Sequence, residues 1–112
     1  MYRQGDLLLV PIDTIPKNRG KVQPRDRRGR VVMAEGEVTG HAHAIREPRA
    51  RLYGDDVARR FLRVFENDGV DLVHEEHATI HLAKGAYRVI RQIQWIYPSL
   101  SRGEGAPEWI AD

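Results

Sequence analysis

Phe61-Leu62-Arg63-Val64-Phe65, Glu66-Asn67-Asp68-Gly69 and Val70-Asp71-Leu72-Val73-His74 follow one another without a break, and their reading decides the fold. Val57, Phe61, Leu62 and Phe65 stand at helical spacing, and Asp55 or Asp56 would cap such a helix. The alternative is a pair of strands joined at Asp68-Gly69, a dipeptide suited to tight hairpin turns. Branched and aromatic side chains favour the second reading, because they crowd a helix and fit a pleated surface. The stretch is therefore expected to form a β-hairpin.

The flanking sequence extends the same pattern. Downstream, Ala78-Thr79-Ile80-His81-Leu82 alternates and ends at the turn Lys84-Gly85. Tyr87 to Tyr97 is the longest expected strand, with Tyr87, Val89, Arg91, Ile93, Trp95 and Tyr97 on one face. After Pro98 a Ser/Gly/Pro-rich tail is expected to dock back through Trp109 and Ile110. Upstream, Leu52-Tyr53 and Val31-Val32-Met33-Ala34 read as short strands, the latter followed by a turn at Glu35-Gly36-Glu37. Leu7 to Ile12 reads as a strand buried on both faces and entered through Gly5-Asp6. Pro11, lacking an N–H, should end it or place it at an edge. Residues 13–30 form a long basic loop with Ile15 and Val22 as anchors. Many short strands with turns between them give an all-β chain, a small antiparallel barrel or sandwich, as one domain over residues 1–112.

Composition narrows the function. With 41% hydrophobic and 30% charged residues, the 112-residue chain has the balance of a soluble globular protein. No apolar run approaches the roughly 20 residues that span a bilayer, and the N-terminus turns acidic at Asp6, where a signal peptide would turn apolar. A cytoplasmic protein without a membrane partner is expected. The absence of cysteine excludes disulfides, thiolate zinc sites and thiol catalysis. Net charge is only +2, but arginine is clustered, notably at Arg25, Arg27, Arg28 and Arg30. That cluster reads first as a solvated loop and alternatively as a nucleic-acid-binding surface, with Tyr87, Trp95 and Tyr97 as stacking platforms. Their sharing a face with Val89 and Ile93 assigns those aromatics to the core instead.

Four of the five histidines fall into two pairs, His41/His43 and His74/His77. From Val38 to Ile45 a strand would place His41 and His43 on one face and Val38, Gly40, Ala42 and Ala44 on the other, whereas a helix would splay the two imidazoles apart. His74 and His77 need a bulge or turn across Glu75-Glu76 to point the same way. Clustered imidazoles repel once protonated, and a shared divalent metal removes that conflict. Zinc, manganese or iron would suit imidazole and carboxylate donors. Glu75 and Glu76 are the candidate general base, or the partners that orient a histidine. His81 is a further ligand or an exposed residue. Without metal, the same histidines would serve as acid and base in RNA cleavage.

His41-Ala42-His43, followed by Glu47 and then Gly54, resembles the first motif of the cupin superfamily, a group of small metal-bearing β-barrels. The resemblance implies that His41, His43, Glu47 and a later histidine, His77, hold the metal. The family's opening glycine falls one place off, at Gly36, and its second motif's Pro-x-Gly and Asn are absent here. The expected function is divalent-metal binding, serving hydrolysis or oxygen chemistry on a small molecule, with a non-catalytic sensing module or nucleic-acid binding as alternatives. A homodimer through an edge strand is also expected.

Overall fold

Alternating apolar residues punctuated by glycine turns fold into nine strands, with no helix among the described residues. The computed structural model describes residues 1–35 and 40–92. The strands are β1 (Tyr2–Gln4), β2 (Leu7–Ile12), β3 (Val31–Glu35), β4 (Ala42–Ile45), β5 (Ala50–Asp56), β6 (Arg59–Val64), β7 (Val70–Val73), β8 (Ile80–Leu82) and β9 (Gly85–Arg91). They form a five-stranded sheet in the order β1-β2-β9-β6-β5 and a four-stranded sheet in the order β3-β4-β7-β8. Every pairing is antiparallel. Two sheets not closed on each other make this a sandwich rather than a barrel.

The core lies between the sheets. Leu7, Leu9, Leu52, Leu62, Val64, Tyr87 and Val89 face inward from the larger sheet, meeting Val31, Met33, Ile45, Val70, Leu72 and Leu82 from the smaller. Each fully buried leucine contributes roughly 1.5–3 kcal/mol over an exposed one. A second cluster, Ile12, Ile15, Tyr53, Phe61 and Ala86, lies apart from this core; its strand residues belong to the larger sheet and Ile15 to the segment that follows β2. Val22 departs from expectation and is 47% exposed. Backbone bonds hold that segment instead: Gln23 N–H donates to Leu52 O at 2.7 Å, and Gly54 N–H to Lys21 O at 2.9 Å. The basic loop is thereby strapped along the outer edge of β5.

The expected hairpin is corrected. The turn forms, with Gly69 N–H donating to Glu66 O, but β6 pairs with β5 and β9 while β7 pairs with β4 and β8. The connection crosses from one sheet to the other. Leu62 and Val64 can then meet Val70 and Leu72 across the core rather than lie beside them. Leu52-Tyr53 proves part of a longer strand, β5, which pairs with β6 around an irregularity near Gly54.

Pro11 is accommodated inside β2 because β1 pairs only with Leu7 to Leu9. Beyond Leu9 one side of β2 has no strand neighbour, so the missing N–H leaves no ladder bond unmade. The strand expected from Val38 starts later, at Ala42, and β8 starts at Ile80 rather than Ala78. The expectations for Gly36 to Thr39, and for Trp95, Tyr97, Trp109 and Ile110, lie outside the described residues. No helix among the described residues is long and apolar enough to cross a membrane.

Candidate functional site

Four connections meet at one end of the sandwich: the β1–β2 turn, the N-terminal end of β4, the β7–β8 connection and the C-terminal end of β9. The registers require it. Leu7 pairs with Arg91, Glu35 with Ala42 and Ala44 with Val73, so residues just beyond these pairs converge. His43 projects from β4 on the core side with Ile45, while Ala42 and Ala44 occupy the opposite face. His74 and His77 sit in the connection between β7 and β8, which belongs to no strand.

All four paired histidines come together here. The His43 ring centroid lies 4.4 Å from that of His74 and 6.0 Å from that of His77. His74 lies 4.7 Å from His77 and 5.9 Å from His41. A bend at residues 75–77 reverses the chain and supplies the convergence that an ideal strand cannot. The rings stack and tilt against one another. Among the described residues, no three histidine or carboxylate side chains already surround a metal position.

His43 is only 2% exposed, and its surroundings fix its protonation. Gln4, 3% exposed on β1, donates both amide hydrogens, one to Leu72 O and one to Ala78 O, each at 2.9 Å. Its oxygen must therefore face His43 Nδ1 at 2.8 Å, and it accepts the Nδ1–H. The other ring nitrogen, Nε2, lies 3.3 Å from Asp6 Oδ1. In the neutral ring this sets a lone pair against a carboxylate. Protonation would relieve the clash, but burial, and then the nearby His74, pull the His43 pKa below its ordinary value against the opposing pull of Asp6.

Asp6 is anchored on its other side. Arg91 Nε donates to Asp6 Oδ2 at 2.9 Å, and Arg91 also donates to Glu35 O. Partial burial pushes the Asp6 carboxyl upward, but the hydrogen bond and charge of Arg91 outweigh it and hold the pKa below the ordinary value. At neutral pH Asp6 is an anion.

The remaining predicted residues are placed as follows. His41 lies just ahead of β4, its Nδ1 buried without a hydrogen bond and 3.5 Å from Glu76 Oε2. Glu75 Oε1 accepts the Ala42 N–H at 2.9 Å, and this bond chiefly holds its pKa below the ordinary value, so Glu75 ties the histidine-bearing segment to β4. Glu76 N–H donates to His74 Nδ1 at 3.0 Å. Glu47 accepts the Asp71 N–H at 2.8 Å and lies 4.0 Å from Arg49, and its contacts are with these residues rather than with the histidines. His81 is exposed and pairs with Asp71 across the β7–β8 ladder.

In the basic loop, Arg25 donates to the carbonyls of Gly29, Glu47 and Ala50, a structural role. Arg30 pairs with Asp26, whereas Arg27 and Arg28 are exposed. Sequence reasoning missed Gln4, Asp6 and Arg91 as parts of the site. Only Arg91 left a trace, as a charge on an otherwise apolar strand face.

The fold and site together define an all-β sandwich with a histidine–carboxylate cluster at one end, built around the buried His43. The chain belongs to the family described as a domain of unknown function, DUF8820, whose model matches residues 3–92. No curated protein and no solved structure matches it.

Proposed function

We propose that the protein binds one divalent metal ion at this cluster, with His43 Nε2 and Asp6 Oδ1 as its fixed donors and His74 and His77 completing the set. The observation that carries the reading is the 3.3 Å separation of the buried His43 Nε2 from the Asp6 carboxylate, while His43 Nδ1 is held by Gln4. A cation belongs between such atoms. With metal–ligand bonds of about 2.0 Å, adjacent donors of a tetrahedral site stand about 3.3 Å apart. The Nδ1–H bond to Gln4 is the outer contact that a metal-bound imidazole ordinarily makes.

Metal uptake requires His74 and His77 to rotate from their stacked positions. Their segment contributes to no strand pairing, so rotation leaves both sheets intact. All four donors together close a tetrahedral site; with only one of His74 and His77 bound, three protein donors leave one coordination position for water or substrate, as metal-assisted hydrolysis or oxygen chemistry requires. Glu76, beside His41 and largely exposed, is better placed than Glu75 to act as a base, because Glu75 is committed to the Ala42 N–H.

The test is cobalt(II) titration followed by visible absorption. The wild type should develop the intense bands of a tetrahedral site at one equivalent. Asp6→Asn and His43→Gln should each lose them. Bands of equal strength in both variants would place any metal elsewhere.

A further inference from the structure

The smaller sheet has a cavity on its outer face, of about 440 Å³, next to the histidine cluster. Its floor includes Ala42 and Val73, whose short side chains leave room, and its walls carry Arg28, Arg30 and Arg46. His74 lines the same cavity while its ring packs on His43, so this one residue borders both places.

Charge in the cavity is unbalanced. Arg30 is matched by Asp26, through two contacts of 2.8 and 2.9 Å. Glu75, the other carboxylate here, is bonded to the Ala42 N–H. Neither Arg28 nor Arg46 forms an ion pair among the described residues. The loop bearing Arg28 and Arg30 is itself built. Asp26 Oδ1 accepts both their backbone N–H groups, at 3.0 and 2.8 Å, around a turn completed by Gly29 at a φ of 76°. Two uncommitted guanidiniums over a small-residue floor recognise an oxyanion. The volume is that of a small-molecule pocket rather than a polynucleotide track.

We propose that this cavity binds the phosphate or carboxylate group of a small organic molecule, gripped by Arg28 and Arg46 and directed toward His74. The oxyanion site needs no metal; only the consequence that the bound molecule faces a metal rests on the function proposed above.

The experiment is calorimetric titration of metal-stripped protein with phenyl phosphate and, separately, with phenylacetate. Wild type, Arg28→Gln/Arg46→Gln and His43→Ala are compared. Wild type should bind at least one of the two at one site per chain, and the acid that binds names the group. The arginine double variant should bind at least about tenfold more weakly. His43→Ala, which should lose cobalt, should retain the anion. Circular dichroism melts of the double variant should overlay the wild type, since both arginines are exposed. Three results would overturn the proposal: no saturable binding of either acid, equal binding by the double variant, or tighter and steeply salt-dependent binding of oligouridylate. A wild type that binds the anion but takes up no cobalt would instead count against the metal alone.

Discussion

At the scale of single residues, Gln4 determines how His43 behaves. Its amide satisfies three partners at once, two of them buried, so Gln4→Leu leaves His43 Nδ1–H, Leu72 O and Ala78 O without their bonds to it. The expected destabilisation is about 2–5 kcal/mol, read from urea unfolding, because each buried unsatisfied group costs about 1–3 kcal/mol. Metal affinity should fall about 10–100-fold, as when other outer-shell partners of metal-bound histidines are removed. Gly5 makes a narrower point. At a φ of 59° it turns β1 into β2, and a Cβ there would stand 2.7 Å from His77 Nε2. Gly5→Ala should cost about 1 kcal/mol in backbone strain and displace His77, which a chemical-shift change at its ring protons would report. The paired histidines were legible in the sequence because local spacing brings each pair together. Gln4 and Asp6 were not, since nothing local distinguishes a glutamine that will meet carbonyls more than sixty residues away.

At the scale of elements, the basic loop is held by one carboxylate. Accepting the Arg30 N–H, with further bonds to the Arg30 side chain and the Arg28 N–H, holds the Asp26 pKa below its ordinary value of 3.8. The sign follows: this contribution is complete above the unfolded value and is lost as pH falls through the folded one. The Arg28 and Arg30 amide resonances should therefore shift only at strongly acidic pH, and Asp26→Ala should show the shifted positions at neutral pH. Asp26→Ala should also weaken phenyl phosphate binding several-fold while leaving both sheets intact. A second titration concerns β9, where burial and the neighbouring Tyr2 raise the Tyr87 phenol to about 12. Its stabilisation is complete below pH 10.0 and disappears as pH rises through about 12. The Tyr87 phenol should ionise late by ultraviolet absorption, and Tyr87→Phe should abolish that late phase. Strand identity was legible throughout this stretch, because period-two burial marks Leu62 and Val64, and Val70 and Leu72, alike. Strand partners were not, because alternation and an Asp-Gly turn fit a crossing between sheets as well as a hairpin.

At the scale of the whole molecule, the sandwich keeps its apolar contacts between the sheets and gathers its polar burial at one end. Leu62, fully buried between the sheets, should cost about 2–5 kcal/mol when changed to Ala. The outer edge of β5 is covered by residues 21–23, so the expected pairing of two copies through an edge strand would have to use another edge. The site depends on this global arrangement: β1 brings Gln4, the turn after it Asp6, β4 His43, β9 Arg91, and the β7–β8 connection His74 and His77. An end built this way should take up a cation as a unit. The most direct measurement is elemental analysis of protein purified without a histidine tag, beside His43→Ala and Asp6→Ala, after incubation with zinc, manganese and iron in turn. One metal ion per wild-type chain, absent from both variants, is the predicted result. No stoichiometric metal in the wild type under any of these conditions would contradict it.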